Sequence, residues 1–315
     1  MPTDTPPRVL ITGASGFIGR SLVMSLAARG WRVRAAARDT ARIPSAAAIE
    51  PVPLPDLSEF VDWRPLLSGV SYVVHLAGLA HATEDIPEIR YMAVNCEATR
   101  VLAAAASDLN VQRIVLMSSV RAQSGPSAEG VLTEDTPARP TDAYGRSKLA
   151  AEQALAAELK DGATDWVTLR PVLVYGPGVK GNMAALARLA RLRAPLPLKS
   201  IAGRRSLLDI GSLSSAVAHA LTNQAASRRV FLVADPEPLT VADIVAALRT
   251  GLGRRPALFA LPRPLLARAA RLAGHEPAWQ RLNSDLVVDA SKLLETGWKP
   301  CRDTREALSA CLRAE

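Results

Sequence analysis

The chain has 315 residues, of which 49% are apolar, and carries 38 Lys and Arg against 30 Asp and Glu, a net charge of +8. That length suits one large domain or two unequal lobes, and no run of about 18 uncharged apolar residues is available to span a membrane. The basic residues are mostly scattered arginines, and four Phe and four Tyr are few for base stacking, so nucleic acid is not the expected partner.

In chain order, the first half alternates short β-rich runs with longer helical patterns, the rhythm of a parallel sheet with crossover helices. Strands are predicted at Arg8–Thr12, Arg32–Ala37, Tyr72–Leu76, Arg113–Met117 and Asp165–Leu169. Helices are predicted at Gly16–Arg29, stopped by Gly30, at Glu88–Leu109, stopped by Asn110, and at Asp142–Leu159. Gly and Asn tolerate the left-handed backbone that ends a helix. After Arg170 comes a loop rich in Pro and Gly (Pro171, Gly176, Pro177, Gly178, Gly181), then a basic helix from Asn182 to about Arg193. Ser206–Ile210 and Val230–Val233 read as strands returning to the sheet, with a helix at Ser212–Leu221 between them. Thr240 and Asp243 form a capping box for a helix through Leu248. Pro262 and Pro264 introduce a helix at Leu265–Leu272, read as a lid or core-packed helix with a membrane-surface helix as the alternative. The expected fold is α/β, a doubly wound parallel sheet followed by a smaller, mainly helical lobe.

The chemistry begins at VLITGASGFIGR. Gly13, Gly16 and Gly19 follow a strand and open a helix, with Ser15, Phe17 and Ile18 in the same turn. The first glycine permits a tight turn, the second lets the backbone approach a pyrophosphate, and the third lets helix and strand pack closely. The helix N-terminus then offers N–H groups to phosphates. This is a dinucleotide site of the Rossmann type. Further on, DAYGRSKLAAEQAL places Tyr144 and Lys148 four residues apart on one helix face. A phenol with a pKa near 10 is a poor acid or base at neutral pH, and a neighbouring ammonium is expected to lower it. VLMSSV brings Ser118 and Ser119 to the carboxyl edge of the sheet, where ligands bind in such folds.

TGASGFIG, HLAG, SSV, YGRSK and LRPVLVYGPG, in this order and spacing, resemble the extended short-chain dehydrogenase/reductases. The resemblance covers essentially the whole chain and is nearest to nucleotide-sugar 4-ketoreductases and 4-epimerases. It implies a catalytic triad of Ser119, Tyr144 and Lys148, with the last two also touching the cofactor. By the same resemblance Asp56 and Leu57 meet the adenine, Leu76, Ala77 and Gly78 lie along the cofactor, and Pro171 passes the nicotinamide. Ser119 and Val120 would meet the substrate, and Asn182 and Arg205 would hold its diphosphate. Asn182 as a plain helix N-cap and Arg205 as a surface cation are the alternatives. Residues 1–175, with 206–234 returning, make the cofactor domain, and 176–205 with 235–315 the substrate-binding lobe. Relatives often form homodimers through the two long helices, and a homodimer is expected.

The cofactor is read at the end of the second strand. An acidic residue there would grip the ribose hydroxyls of NAD, but the position is Ala37, followed by Arg38, which could pair with a 2′-phosphate. NADP(H) is therefore favoured, with NAD(H) kept possible by Asp39. Dehydratases of the family carry Asp-Glu where this chain has Val120 and Arg121, so dehydration is excluded. Many epimerases carry a lysine at the position of Ala80, and the Asn expected after Arg170 is replaced by Leu173. The resulting expectation is reduction of the C4 ketone of a nucleotide-linked sugar, such as a UDP-2-acetamido-2,6-dideoxy-hexos-4-ulose, for polysaccharide or lipopolysaccharide precursors. An NAD-dependent UDP-hexose 4-epimerase is the alternative. Cys96, Cys301 and Cys311 show no paired or zinc-like spacing, and the first residues do not read as a signal peptide, so a cytoplasmic location is expected.

Overall fold

The computed structural model describes residues 6–80, 86–179, 181–272, 274 and 276–312. Seven parallel strands form the central sheet, in the spatial order Arg229–Val233, Asp165–Pro171, Arg113–Met117, Tyr72–His75, Arg8–Thr12, Arg32–Ala37 and Ile49–Pro53. Numbered along the chain this is 3-2-1-4-5-6-7, the doubly wound order with a reversal beside the first strand.

Both faces of the sheet are covered, so consecutive strand residues are apolar rather than alternating. Val9 and Ile11 point to one side, against Leu22, Val23 and Leu26 of the helix Phe17–Ala28 and Leu213, Val217 and Leu221 of the helix Ile210–Thr222. Leu10, Val73, Ile114 and Leu116 point to the other, against Leu102 and Ala106 of Ala98–Asp108 and Leu155 of Ala143–Glu158. A third core around Tyr175, Met183, Ile244, Leu248 and Leu308 belongs to the C-terminal part.

Three features depart from expectation. The strand Ile49–Pro53 (IEPVP) was masked by its two prolines; it is an edge strand paired only with Arg32–Ala37, where a missing N–H is tolerated. The run at Ser206–Ile210 does not rejoin the main sheet. Its strand, Leu207–Asp209, pairs in parallel with Leu173–Tyr175 in a separate two-stranded sheet. The helix Arg263–Leu272 contains no buried residue, so it is not core-packed. The capping box of Thr240 and Asp243 is present and starts the helix Val241–Gly251, and Gly30 and Asn110 have the left-handed backbone expected of helix stops. Among the described residues no helix is long and apolar enough to cross a membrane.

Candidate active site

At the carboxyl edge of the sheet lies a cleft of about 260 Å³. Its walls include Gly13, Ser15 and Gly16 from the first turn, and Ala37 and Arg38 from the end of the second strand. Asp56, Leu57, Leu76, Ala77 and Gly78, also foreseen from sequence, line it as well, and Arg90 and Val94 join them from the following helical segment. The turn has this shape because of its glycines. Gly13 sits at φ +70°, where a side chain would be strained and would meet Ala77 N at 2.9 Å. A Cβ on Gly19 would collide with the carbonyl of Gly13 and the backbone of Ala14, so only glycine lets helix and strand lie this close. The cleft fits a dinucleotide on these features: a side-chain-free turn, an adjoining helix start whose N-cap, Gly16, carries no side-chain cap, and cations at the far end. Thr12 ties the floor together, its hydroxyl hydrogen-bonded to His75 Nδ1 (2.9 Å) and accepting from Leu76 N (3.2 Å) and Ala77 N (3.1 Å).

Phe17 and Ile18, by contrast, line no part of this cleft. Phe17 opens the helix near Gly176, and Ile18 packs on the core. Pro171 is buried at the end of its strand, opposite Val233. Asp39 turns from the cleft to cap the short turn Thr40–Arg42, accepting from Ala41 N at 3.2 Å. Arg38 and Arg90 both act on Asp56: hydrogen bonds from Ser58 hold its carboxyl below the usual range, and the two guanidiniums add to the effect.

Ser119, Tyr144 and Lys148 come together beside the cleft. Ser119 ends the extended backbone after Arg113–Met117, and its oxygen accepts from Arg121 N (3.2 Å), capping the turn Val120–Ala122. Its hydroxyl is hydrogen-bonded to the Tyr144 phenol. Lys148, one turn along the helix, is buried and donates to Met117 O at 3.0 Å. A Cβ on Gly78 would lie 3.5 Å from Lys148 Nζ, so the ammonium borders the cleft wall. Burial pushes the Tyr144 phenol up, with Ser119 and Arg121 pulling against it. The lowered phenol expected from sequence is therefore not found: desolvation outweighs Ser119 and Arg121, and Lys148 is not among the groups that shift it. A phenol held protonated at neutral pH is suited to giving a proton away.

Burial lowers the Lys148 pKa to about 8, against the pull of the Glu152 carboxylate. An unfolded lysine keeps its proton up to about 10.5, so the buried ammonium costs stability below about pH 8. The cost fades as pH rises from there toward 10.5. Lys148→Met is thus expected to melt several degrees higher than the wild type at pH 7, and to lose most of its turnover. Calorimetry checks the first part; an equal or lower melting temperature would contradict it.

The approach of the Tyr144 helix to the Ser119 turn depends on Gly145. A Cβ there would strike the Arg121 carbonyl and come within 3.0 Å of Pro140 Cβ. Asp142 caps the same helix, accepting from Gly145 N at 2.7 Å, and forms an ion pair with Arg121. Gly145→Ala should displace Tyr144 from Ser119 and lower turnover by about a hundredfold, since misplacement on the order of 1 Å has that effect. Steady-state kinetics with an intact far-ultraviolet spectrum would test it, and full activity would refute it.

Several supporting residues were not foreseen. Asn95 is buried in a π-helical stretch, Met92–Glu97, a distortion frequent at functional sites. Its amide accepts from Leu79 N (2.8 Å) and donates to Leu79 O (3.0 Å) and Ser147 Oγ (2.9 Å), joining the cleft wall to the Tyr144 helix. Tyr91, from the helix Glu88–Tyr91, packs edge-on against Tyr144 with ring centroids 6.2 Å apart. Beneath the triad, Arg170 makes a buried two-point pair with Glu152 (2.6 Å and 3.0 Å) and reaches Gln123 Oε1 (3.1 Å); Ser118 donates to the same carboxylate. Ser118 thus has a structural partner, whereas Ser119 is bonded to Tyr144.

The substrate residues are less gathered. Val120 is buried beside Ser119. Asn182 is exposed in the first turn of the helix Gly181–Arg191, one residue past its start, so it is not the N-cap. Arg205 directs Nη1 to Pro126 O (2.8 Å) and Nη2 to Ser284 O (3.3 Å) and Arg281 O, bracing the strand and loop around it. Burial lowers its pKa.

Residues 9–234 match the NAD dependent epimerase/dehydratase family. A UDP-glucose 4-epimerase of Vibrio cholerae is 34% identical, over 98% of this chain and 95% of its own. A dTDP-6-deoxy-L-talose 4-dehydrogenase (NAD(P)(+)) of Kitasatospora kifunensis is 28% identical over 98% and 95%. Among solved structures, MoeE5 in complex with UDP-glucuronic acid and NAD superposes with a TM-score of 0.75 at 25% identity, covering 96% of this chain and 97% of that one.

Proposed function

Because the chain belongs to the NAD dependent epimerase/dehydratase family of extended short-chain dehydrogenase/reductases, we propose that it reduces the C4 ketone of a nucleotide-linked sugar with NADP(H). A UDP-2-acetamido-2,6-dideoxy-hexos-4-ulose is the substrate of this type, and its product would serve polysaccharide or lipopolysaccharide assembly. The observation that carries the reading is the Ser119–Tyr144–Lys148 cluster beside a cleft lined by Arg38 and Arg90, with Ala37 at the position where an acidic residue would grip the ribose of NAD.

The reduced nicotinamide, when bound, supplies the hydride. The chain's own residues handle the oxygen. Ser119 hydrogen-bonds the ketone oxygen, Tyr144 Oη protonates the forming alkoxide, and the Lys148 ammonium stabilises the phenolate left behind. Gly13, Ser15, Gly16 and the helix N-terminus take the diphosphate of the dinucleotide, and Leu76, Ala77 and Gly78 flank its path. Neither Val120 nor Arg121, which is engaged with Asp142, offers the acid–base pair that water elimination requires. Asn182 and Arg205 are retained as diphosphate contacts of the sugar nucleotide, with residues 176–205 and 235–315 as the substrate lobe. We further infer a cytoplasmic homodimer built on the helices ending at Asp108 and Glu158, which light scattering tests.

A second reading, C4 epimerisation of a UDP-hexose, is favoured by the likeness to the Vibrio cholerae epimerase. The two are separated by incubating the protein with UDP-sugars and each nicotinamide cofactor. Net oxidation of NADPH with a 4-keto sugar supports reduction; interconversion of C4 epimers without net redox supports epimerisation. The cofactor assignment has its own check. Arg38→Ala is expected to weaken NADPH binding by about tenfold while leaving NADH nearly unchanged, as loss of a charge-assisted phosphate contact would. Equal loss for both cofactors would count against a 2′-phosphate partner.

A further inference from the structure

The net positive charge is not spread evenly. Residues 176–208 and 244–275 carry 13 of the 38 Lys and Arg and none of the 30 Asp and Glu. The described residues of these two stretches meet, with Arg249 buried between them on the carbonyls of Leu192, Ala194, Pro256 and Ala257 and so not part of the surface charge. Leu196 and Phe259 exchange backbone hydrogen bonds with Ala257 and Leu196 (3.1 and 3.0 Å), and Lys199 N donates to Phe259 O at 3.2 Å. The helix Arg263–Leu272 follows directly in the chain and buries none of its residues.

That helix is polar in charge and apolar in surface at once. Leu265, Ala269 and Leu272 fall on one line, at the i, i+4, i+7 spacing, and all three are exposed, Leu265 by 58% and Leu272 by 81%. Arg268 and Arg271 form the neighbouring exposed line. Phe259 and Leu192, on the paired basic stretches, are exposed as well. Among the described residues Glu276 and Asp285 come within 4.0 Å of Arg271 and Arg204, pairs on exposed side chains that contribute little.

We propose that this face of the C-terminal lobe docks reversibly on an anionic bilayer surface, with its leucines at the acyl boundary and its arginines among the headgroups. Exposed leucines bordered by arginines, with no acidic residue within the helix itself, match an interfacial helix. A second copy of the chain would set arginines against arginines. Nucleic acid would find the cations but gain nothing from Leu265 and Leu272, and Phe259 is the one Phe, Tyr or Trp in residues 176–208 and 244–275.

The test is sedimentation of the full chain with phosphatidylcholine vesicles containing phosphatidylglycerol, and with phosphatidylcholine vesicles alone. Binding to the anionic vesicles only is expected, falling as salt is raised. The combined substitutions Arg263→Gln, Arg268→Gln and Arg271→Gln should weaken it by about a hundredfold, from the usual contribution of each cation near such a surface. Leu265→Ser with Leu272→Ser should weaken it by about tenfold or more, through lost apolar burial. Both variants should keep wild-type melting temperature and NADPH affinity, which shows that the fold is intact. Absence of binding to the anionic vesicles, equal binding to neutral ones, retention of binding by either variant, or a preference for single-stranded DNA would overturn the proposal.

Discussion

Tyr144→Phe is expected to lower turnover by about a hundredfold or more while leaving cofactor affinity nearly unchanged, the usual size of a lost general acid. The expectation rests on geometry before pKa. The phenol is hydrogen-bonded to Ser119, on a helix whose next turn buries Lys148 against the cleft wall. Removing the oxygen takes away the proton donor but little apolar contact, since the ring still packs against Tyr91. Kinetics alongside fluorescence titration of NADPH would check both halves. Turnover equal to wild type would remove Tyr144 from the reaction.

Glu152→Ala should be the most destabilising single change near the site. Glu152 and Arg170 are buried, with side chains 5% and 8% exposed, and the pair is two-pointed. Removing one partner strands a charge in the interior, at a cost of about 3–5 kcal/mol. Ser118 loses its acceptor at the same time. Urea unfolding would measure the loss, and replacing both residues by Leu and Met should restore much of it. The variant also carries a functional readout. Glu152 raises the Lys148 pKa, so the alkaline limb of the rate profile should move to lower pH. A loss under about 1 kcal/mol would mean that water reaches and solvates Arg170.

The parts legible in the sequence were those where backbone constraint and residue identity coincide. Gly13 and Gly19 announced the turn because no other residue fits its left-handed backbone or its helix–strand contact, and apolar runs such as VLIT announced strands buried on both faces. The YGRSK spacing placed Tyr144 and Lys148 on one helix face, but not the depth of either side chain. Depth decides the pKa, and it comes from Tyr91 and the strand end at Met117, distant in sequence. Asn95 left one trace, an amide on the apolar stripe of Tyr91, Val94, Ala98 and Leu102; its partners Leu79 and Ser147 appear only in three dimensions. Nothing local in the sequence marks Glu152 and Arg170 as a buried pair, since they lie on different elements 18 residues apart. The strand Leu207–Asp209 was found but mispaired, since its choice of Leu173–Tyr175 over the main sheet depends on the intervening loop.

Labelling decides the central assignment. The protein would be mixed with a UDP-4-keto sugar and NADPH deuterated at the transferable position of its nicotinamide, and the product read by NMR. Deuterium bonded to C4 of the sugar, one atom per NADPH consumed and absent with Tyr144→Phe on the same timescale, is the predicted outcome. A reduced sugar carrying no deuterium at C4, or NADPH consumed at wild-type rate by the Tyr144→Phe variant, would contradict it.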